Sequence, residues 1–212
     1  MNSEPKKYII TGIGTDIGKT VVSAIIAQAL KANYWKPIQA GELENSDSIK
    51  VFNWTEDDVT VLPEAFRLTQ PMSPHAAAKY DGLKIDRESI TFPEVDGNLI
   101  IEGAGGIMVP INNDGLLFID LFAEWNLPLI IVSRHYIGSI NHTLLTVEAL
   151  KRRNILIEGI IFVGDENKET ETIILEITQC KMITRIPLVE EVNTSFIQEQ
   201  AILLNKIFNI EP

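Results

Sequence analysis

The sequence predicts an α/β fold: a single domain with a mostly parallel sheet and helices on both faces. Three observations carry that expectation. Continuously apolar, β-branched runs recur at 8–11, 98–102, 127–132 and 159–163, and runs without polar alternation suit strands buried on both faces. Stretches with helical spacing of apolar residues separate them, as in 19–30 and 138–153. The first run passes through a glycine turn directly into Gly18-Lys19-Thr20 at a helix start, the strand–loop–helix context of a phosphate-binding loop. At 212 residues one domain covering 1–212 is the simplest organisation, with ample chain to bury a core.

Residues 8–11 read as a buried strand, and the helix after the glycine turn runs from Gly18 to Leu30. Tyr34-Trp35-Lys36-Pro37-Ile38 reads as a short strand stopped by proline. From about 41 to 97 the chain is richer in polar and turn residues, which suits loops and short helices over the active-site edge. Residues 98–102 form a strand that closes in Glu102, followed by Gly103-Ala104-Gly105-Gly106, a nest of backbone donors. Another strand covers 127–132. The helix over 138–153 has Ile140, Leu144, Leu145, Val147, Ala149 and Leu150 as its apolar set. A strand at 159–163, a helix near 169–179, a strand at 182–185 and a helix over 193–208 complete the chain. There is no internal repeat and no dividing linker.

Charge and cysteine content narrow the function classes. A net charge of −11 and a pI near 4.7 disfavour nucleic acid or an anionic membrane as a general partner. The basic doublets Lys6-Lys7 and Arg152-Arg153 read as solvated. Cys180 is the single cysteine, so no internal disulfide forms and a reducing compartment fits. The opening MNSEPKKYII lacks a signal-peptide core, and no apolar stretch approaches membrane-spanning length. The expectation is a soluble, cytoplasmic protein.

The glycine turn carries the chemistry. Backbone N–H groups of the loop and first helical turn point at phosphate oxygens, Lys19 supplies a charge to the outer phosphates, and the Thr20 hydroxyl suits Mg²⁺. The common pattern places its first glycine at position 13, where this chain has Ile13 between Gly12 and Gly14. The dinucleotide fingerprint fails as well, because one residue too many precedes Gly18. In a parallel sheet, ligands bind beyond the carboxyl ends of the strands. Lys36 at the tip of the second strand, Asp47 on the following loop and Glu102 at a strand end all belong to that edge. Two carboxylates and a hydroxyl are sensible hard ligands for Mg²⁺, and a nearby lysine stabilises charge on a group in transfer. Plainer readings exist: a lysine before proline is ordinary surface, and Asn45-Ser46-Asp47 is ordinary helix-cap composition. Glu102 is harder to explain by packing. His75 and His142 read as structural hydrogen-bonding groups. Cysteine–histidine metal spacing and a Ser-His-Asp arrangement are absent from the sequence pattern.

Taken together, Thr-Gly-x-Gly-Thr-Asp-x-Gly-Lys-Thr, Trp-Lys-Pro-Ile-Gln-x-Gly, Asn-Ser-Asp, Ser-Pro-His-x-Ala-Ala, Glu-Gly-Ala-Gly-Gly-x-x-Val-Pro and Ile-Gly-x-Ile-Asn-His, between residues 11 and 142, resemble the dethiobiotin synthetases, a P-loop NTPase-like family. The resemblance implies a homodimer that closes a cyclic urea in biotin synthesis. Its substrates are 7,8-diaminopelargonic acid, CO₂ and ATP, with Mg²⁺ as cofactor. It makes Lys19 and Lys36 the catalytic cations and Thr20, Asp47 and Glu102 the metal ligands. Asp16, Ile17, Gly18 and Val21 belong with the phosphate loop, and Gly103, Ala104 and Gly105 line the same cleft. Thr15, Pro71 and Met72 touch the diamine, while Gly138, Ser139, Ile140 and Asn141 of a partner subunit cap its distal carboxylate. Two departures stand out. Ala40 replaces a usual Ser or Thr on the substrate side, and Val163-Gly164 replaces a base-reading Asn. Ile186, Pro187 and Leu188 keep the other wall of the base site. Two rivals share the fold. One is a deviant-Walker ATPase switch, whose extra loop lysine is absent here because position 14 is glycine. The other is a domain of the same fold that binds nucleotide without turnover.

Overall fold

The computed structural model describes residues 4–208, so the first three residues of the stretch read for targeting signals lie outside it. In chain order the elements are β1 (Lys7–Gly12), α1 (Lys19–Leu30), β2 (Asn33–Trp35), β3 (Ile38–Ala40), α2 (Asp47–Trp54), β4 (Thr60–Leu62), β5 (Phe66–Leu68), α3 (Pro74–Tyr80), β6 (Leu99–Gly106), α4 (Phe118–Trp125), β7 (Leu129–Arg134), α5 (Ser139–Arg152), β8 (Ile157–Val163), α6 (Lys168–Thr178), β9 (Met182–Ile186) and α7 (Thr194–Phe208).

Seven strands form one sheet in the order β4-β2-β6-β1-β7-β8-β9, and every pairing in it is parallel. The chain leaves β1 through α1 towards β2 on one side, whereas β7 flanks β1 on the other. Right-handed crossovers therefore put α1 on one face and α4, α5 and α6 on the opposite face. The carboxyl end of β1 is the point where the winding direction reverses, so a crevice opens there. The inner strands are buried at nearly every position: Ile9, Ile10, Leu99, Ile100, Ile101 and residues 129–132 have no exposed surface.

Four details depart from the sequence expectation. The strand expected over 34–38 is two strands, because Lys36-Pro37 ends β2 and β3 pairs instead with β5 in a separate two-stranded sheet. The irregular region therefore contains β4 and β5 as well as helices; three-residue strands are too short to show alternation. The glycines after Glu102 do not form a loop. β6 runs through Gly106, which pairs with Gly12 across a register shift. A Cβ at Gly103 would meet the Phe122 ring at 2.9 Å, so packing requires that glycine. Finally, α5 buries Thr143, Thr146, Val147 and Leu150, whereas Ile140 and Leu145 of the expected apolar set face outwards.

Candidate active site

The loop from Gly12 to Gly18 is shaped by close approaches. A Cβ on Gly12 would lie 2.4 Å from the Ile17 side chain, and Gly18 adopts φ +94° with Val163 3.2 Å from where its Cβ would stand. Gly18 is the N-cap of α1 and provides no side-chain cap, so the first-turn amides and the helix dipole face the crevice. The Lys19 ammonium donates to the Gly14 carbonyl at 2.7 Å. Burial lowers its pKa to about 8, with nearby Lys36 adding to the shift and Glu102, Asp47 and Asp16 opposing it.

Lys36 follows β2 directly. The neighbouring Trp35 holds the strand end in place by donating its indole N–H to the Pro63 carbonyl at 3.1 Å and packing against Trp125, ring centroids 5.6 Å apart. The Lys36 ammonium is buried and lies 2.7 Å from Asp47 and 3.0 Å from Glu102. It also donates to the Gly103 carbonyl at 3.1 Å. The Thr20 hydroxyl reaches the same two carboxylates at 3.0 Å each. Burial pulls the Lys36 pKa down, but the two acids outweigh it and the net shift is upwards. Burial similarly raises that of Asp47, while Lys36 and the Thr20 hydroxyl carry it below the ordinary carboxylate value.

Asp47 is the first residue of α2 rather than a loop residue. Ser46 caps that helix by accepting from the Ile49 amide, and the Gln39 side chain accepts from the Asp47 amide while donating to the Gly41 carbonyl. Hard oxygens from α1, α2 and β6 thus converge around one point, with the chemistry a small divalent cation requires. Thr20, Asp47 and Glu102 are the residues able to hold it.

The crevice has a volume of about 740 Å³. Of the residues named from sequence, Thr15, Asp16, Ile17, Gly18, Lys19, Thr20, Val21, Lys36, Ala40, Asp47, Pro71, Met72, Glu102, Ala104, Gly105, Val163 and Leu188 line it. A smaller apolar chamber of about 70 Å³ adjoins it, walled by Gly18, Val21, Val163, Ile186, Pro187 and Leu188 together with Val192 and Phe196. Gly103 lines neither, because it touches the site only through its carbonyl. Gly164 also lines neither; its amide donates to the Ile186 carbonyl at 2.9 Å. Gly138, Ser139, Ile140 and Asn141 do not line the crevice of a single chain. His142 accepts from or donates to the Tyr136 hydroxyl at 2.7 Å.

Three residues escaped the sequence reading. Arg134 lines the crevice at the end of β7 and donates to the Asp16 carbonyl at 3.4 Å; a cation closing a buried strand was the available signal. Gln39 had only its place in the Trp-Lys-Pro motif. Tyr34, buried beneath the site, donates to Glu102 at 2.9 Å, and nothing in an apolar strand marked it.

A family model described as an AAA domain matches residues 6–195. The chain is 56% identical over 183 residues to the ATP-dependent dethiobiotin synthetase of Christiangramia forsetii, covering 86% of this chain and 87% of that one. It is 46% identical over 201 residues to the enzyme of the same name from Cytophaga hutchinsonii, covering 94% and 97%. The chain belongs to the dethiobiotin synthetase family. Among solved structures, the septum site-determining protein MinD with Mg-ADP from Pyrococcus horikoshii OT3 matches at TM-score 0.58 and 12% identity, covering 97% of this chain and 98% of that one. A plasmid partition protein from Borrelia burgdorferi matches at TM-score 0.57 and 15% identity, covering 98% and 99%. These two likenesses concern the fold alone. The chamber beside the phosphate loop is walled mainly by apolar side chains, and the methyl group of Ala40 lies on the crevice wall.

Proposed function

We propose that the chain is an ATP-dependent dethiobiotin synthetase, closing 7,8-diaminopelargonic acid and CO₂ into the cyclic urea of dethiobiotin. The observation that carries this reading is the meeting of Lys36, Thr20, Asp47 and Glu102 beside the phosphate loop, in a chain of that family. One amine of the diamine adds to CO₂ and loses a proton, giving a carbamate. A carbamate oxygen attacks the γ-phosphorus of ATP, ADP leaves, and a carbamic–phosphoric anhydride forms. The second amine attacks the anhydride carbon, phosphate leaves, and the ring closes.

The residues divide this work by position. Lys19 and the first-turn amides of α1 hold the phosphates. Lys36 neutralises charge on the carbamate and the phosphoryl group in transfer. It is prepaid in geometry, since two acids fix its nitrogen before substrate arrives. Thr20, Asp47 and Glu102 would hold Mg²⁺, which would supply positive charge to screen the triphosphate. Ala104, Gly105 and Asp16 shape the same cleft. The base occupies the chamber between Val163 and the 186–188 segment, with Ile17 and Val21 beside the loop. The described side chains that wall this chamber are apolar and offer the base no hydrogen bond.

Thr15, Ala40, Pro71 and Met72 contact the diamine. Gly138, Ser139, Ile140 and Asn141 act across a homodimer interface, where the N-terminus of α5 caps the distal carboxylate of substrate bound to the other copy. Exposed Tyr136, Ile137, Ile140 and Leu145 support such an interface. The whole chain, 1–212, serves as one catalytic domain in the cytoplasm. No described helix is long and apolar enough to cross a membrane. The switch reading has no comparable support, since Gly14 stands where its second lysine belongs.

Labelled bicarbonate tests the proposal. Supplied with ATP, Mg²⁺ and the diamine, the protein incorporates label into a cyclic urea, with one ADP released per ring. ATP hydrolysis at the same rate with and without diamine, and no labelled urea, would refute it.

A further inference from the structure

We propose that Tyr34 is a positioning residue for the cation-binding acid, holding Glu102 through one carboxylate oxygen so that the other is presented to the site. This rests on the magnesium role given above to Thr20, Asp47 and Glu102.

The two oxygens of Glu102 do different things. Oε1 accepts from the Thr20 hydroxyl and from the Lys36 ammonium, each at 3.0 Å. Oε2 accepts from the Tyr34 hydroxyl at 2.9 Å, and among the described residues no other group is bonded to it. Glu102 is 1% exposed and Tyr34 not at all, so the bond is shielded from bulk water. The donor direction is also fixed: an ionised carboxylate only accepts. A carboxylate held at one oxygen cannot rotate to offer a cation the wrong face or chelate it through both oxygens.

Register explains why position 34 supplies the bond. β2 and β6 are parallel neighbours with Tyr34 beside Ile100. Side chains two apart on a strand share a face, so Glu102 projects on the same side as Tyr34, one diagonal step along. A tyrosine is long enough to span that diagonal. Trp35, next in sequence, faces the opposite side and packs with Phe92 and Trp125. Aromatic packing on one side and a phenol bond on the other therefore hold the strand end against which Glu102 is set. Ile100, the register partner of Tyr34 on that face, is apolar and fully buried.

Outer partners of metal ligands tune affinity by about 10–100-fold, and that is the effect expected here. Full-length wild type and Tyr34→Phe are titrated with Mn²⁺ in the presence of β,γ-methylene-ATP, following free Mn²⁺ by electron paramagnetic resonance. Tyr34→Phe is expected to bind Mn²⁺ about 10–100-fold more weakly. In the ring-closing assay its half-saturating Mg²⁺ rises more than kcat at saturating Mg²⁺ falls, a split that loosened packing alone would not produce. Tyr34→Met, filling similar space without a donor, gives the same loss. Amber-suppressed 4-aminophenylalanine at 34, which keeps an N–H donor at that point, restores binding to within about threefold. Equal Mn²⁺ affinity in wild type and both donor-less variants overturns the role of Tyr34 alone. Failure of wild type itself to bind Mn²⁺ with the nucleotide overturns the magnesium reading beneath it. Loss of binding that the amine does not restore assigns Tyr34 to packing and also refutes the proposal.

Discussion

Lys36→Met removes the ammonium that joins Asp47 to Glu102 while keeping a side chain of similar length. In the parent that nitrogen is 2.7 Å from one acid and 3.0 Å from the other and is almost wholly buried. Both acids also accept from the Thr20 hydroxyl at 3.0 Å, so the variant leaves two carboxylates facing each other across one hydroxyl without a cation. Removing one partner of a buried ion pair costs about 3–5 kcal/mol. At about 2–4 °C per kcal/mol for a chain of this size, melting in EDTA falls by about 6–20 °C. Added Mg²⁺ supplies positive charge to the same two acids, so at least half of the deficit returns when the variant is melted with Mg²⁺ and nucleotide. Turnover does not return: loss of a group acting on developing charge lowers kcat by about 10² or more, while nucleotide binding stays close to the parent. Scanning calorimetry with and without Mg²⁺, paired with steady-state kinetics, separates the two effects. A variant that melts within about 2 °C of the parent in EDTA would show that the pair contributes no net stability, against the cost expected for a broken buried ion pair. Unchanged turnover would remove Lys36 from the chemistry.

The Lys19 pKa near 8 makes ATP capture pH-dependent: the ammonium is present below that value and lost above it. The kcat/KM for ATP therefore declines above pH 8, and a Lys19→Met variant shows no such decline. The same shift has an opposite sign for folding. An unfolded lysine titrates near 10.5, so between pH 8 and 10.5 the unfolded state binds more protons and this group's contribution to stability rises with pH; the parent-minus-Lys19→Met difference in denaturant unfolding reads it. For the proposed homodimer, Ile137→Glu, at a fully exposed apolar position beside the α5 N-terminus, is expected to shift sedimentation to the monomer and raise the diamine KM about tenfold or more, with ATP binding intact. Because the base chamber offers apolar walls and no side-chain hydrogen bond, ATP and GTP compete with a preference below about tenfold; a strong ATP preference that survives Val163→Ala would place base reading elsewhere.

Most of the fold could be read locally. The runs at 98–102 and 159–163 are apolar enough to allow only a doubly covered strand, and the glycine turn before Lys19 announces its own helix. Placement at the carboxyl ends of parallel strands likewise assigns Lys36, Asp47 and Glu102 to one edge of the sheet. What was misread shares one physical cause: the deciding partner is remote in sequence. β3 is a strand because β5 pairs with it. Gly103 must be glycine because Phe122 leaves no room for a Cβ. Ile140 and Leu145 match a helix's apolar spacing, but the face that α5 buries carries Thr143, whose hydroxyl meets that of Ser133 on β7.

By itself, then, the sequence determined the long buried strands, the helices α1, α5, α6 and α7, and which residue types the chemistry needs, because periodicity and loop chemistry act over a few residues. Only the tertiary structure decided that one ammonium, two acids and a hydroxyl share a single point, and that a phenol from the neighbouring strand holds one of the acids from below. Those relations depend on the register between β2, β6 and α1, which is set by packing across the sheet and leaves no trace in any one stretch of chain.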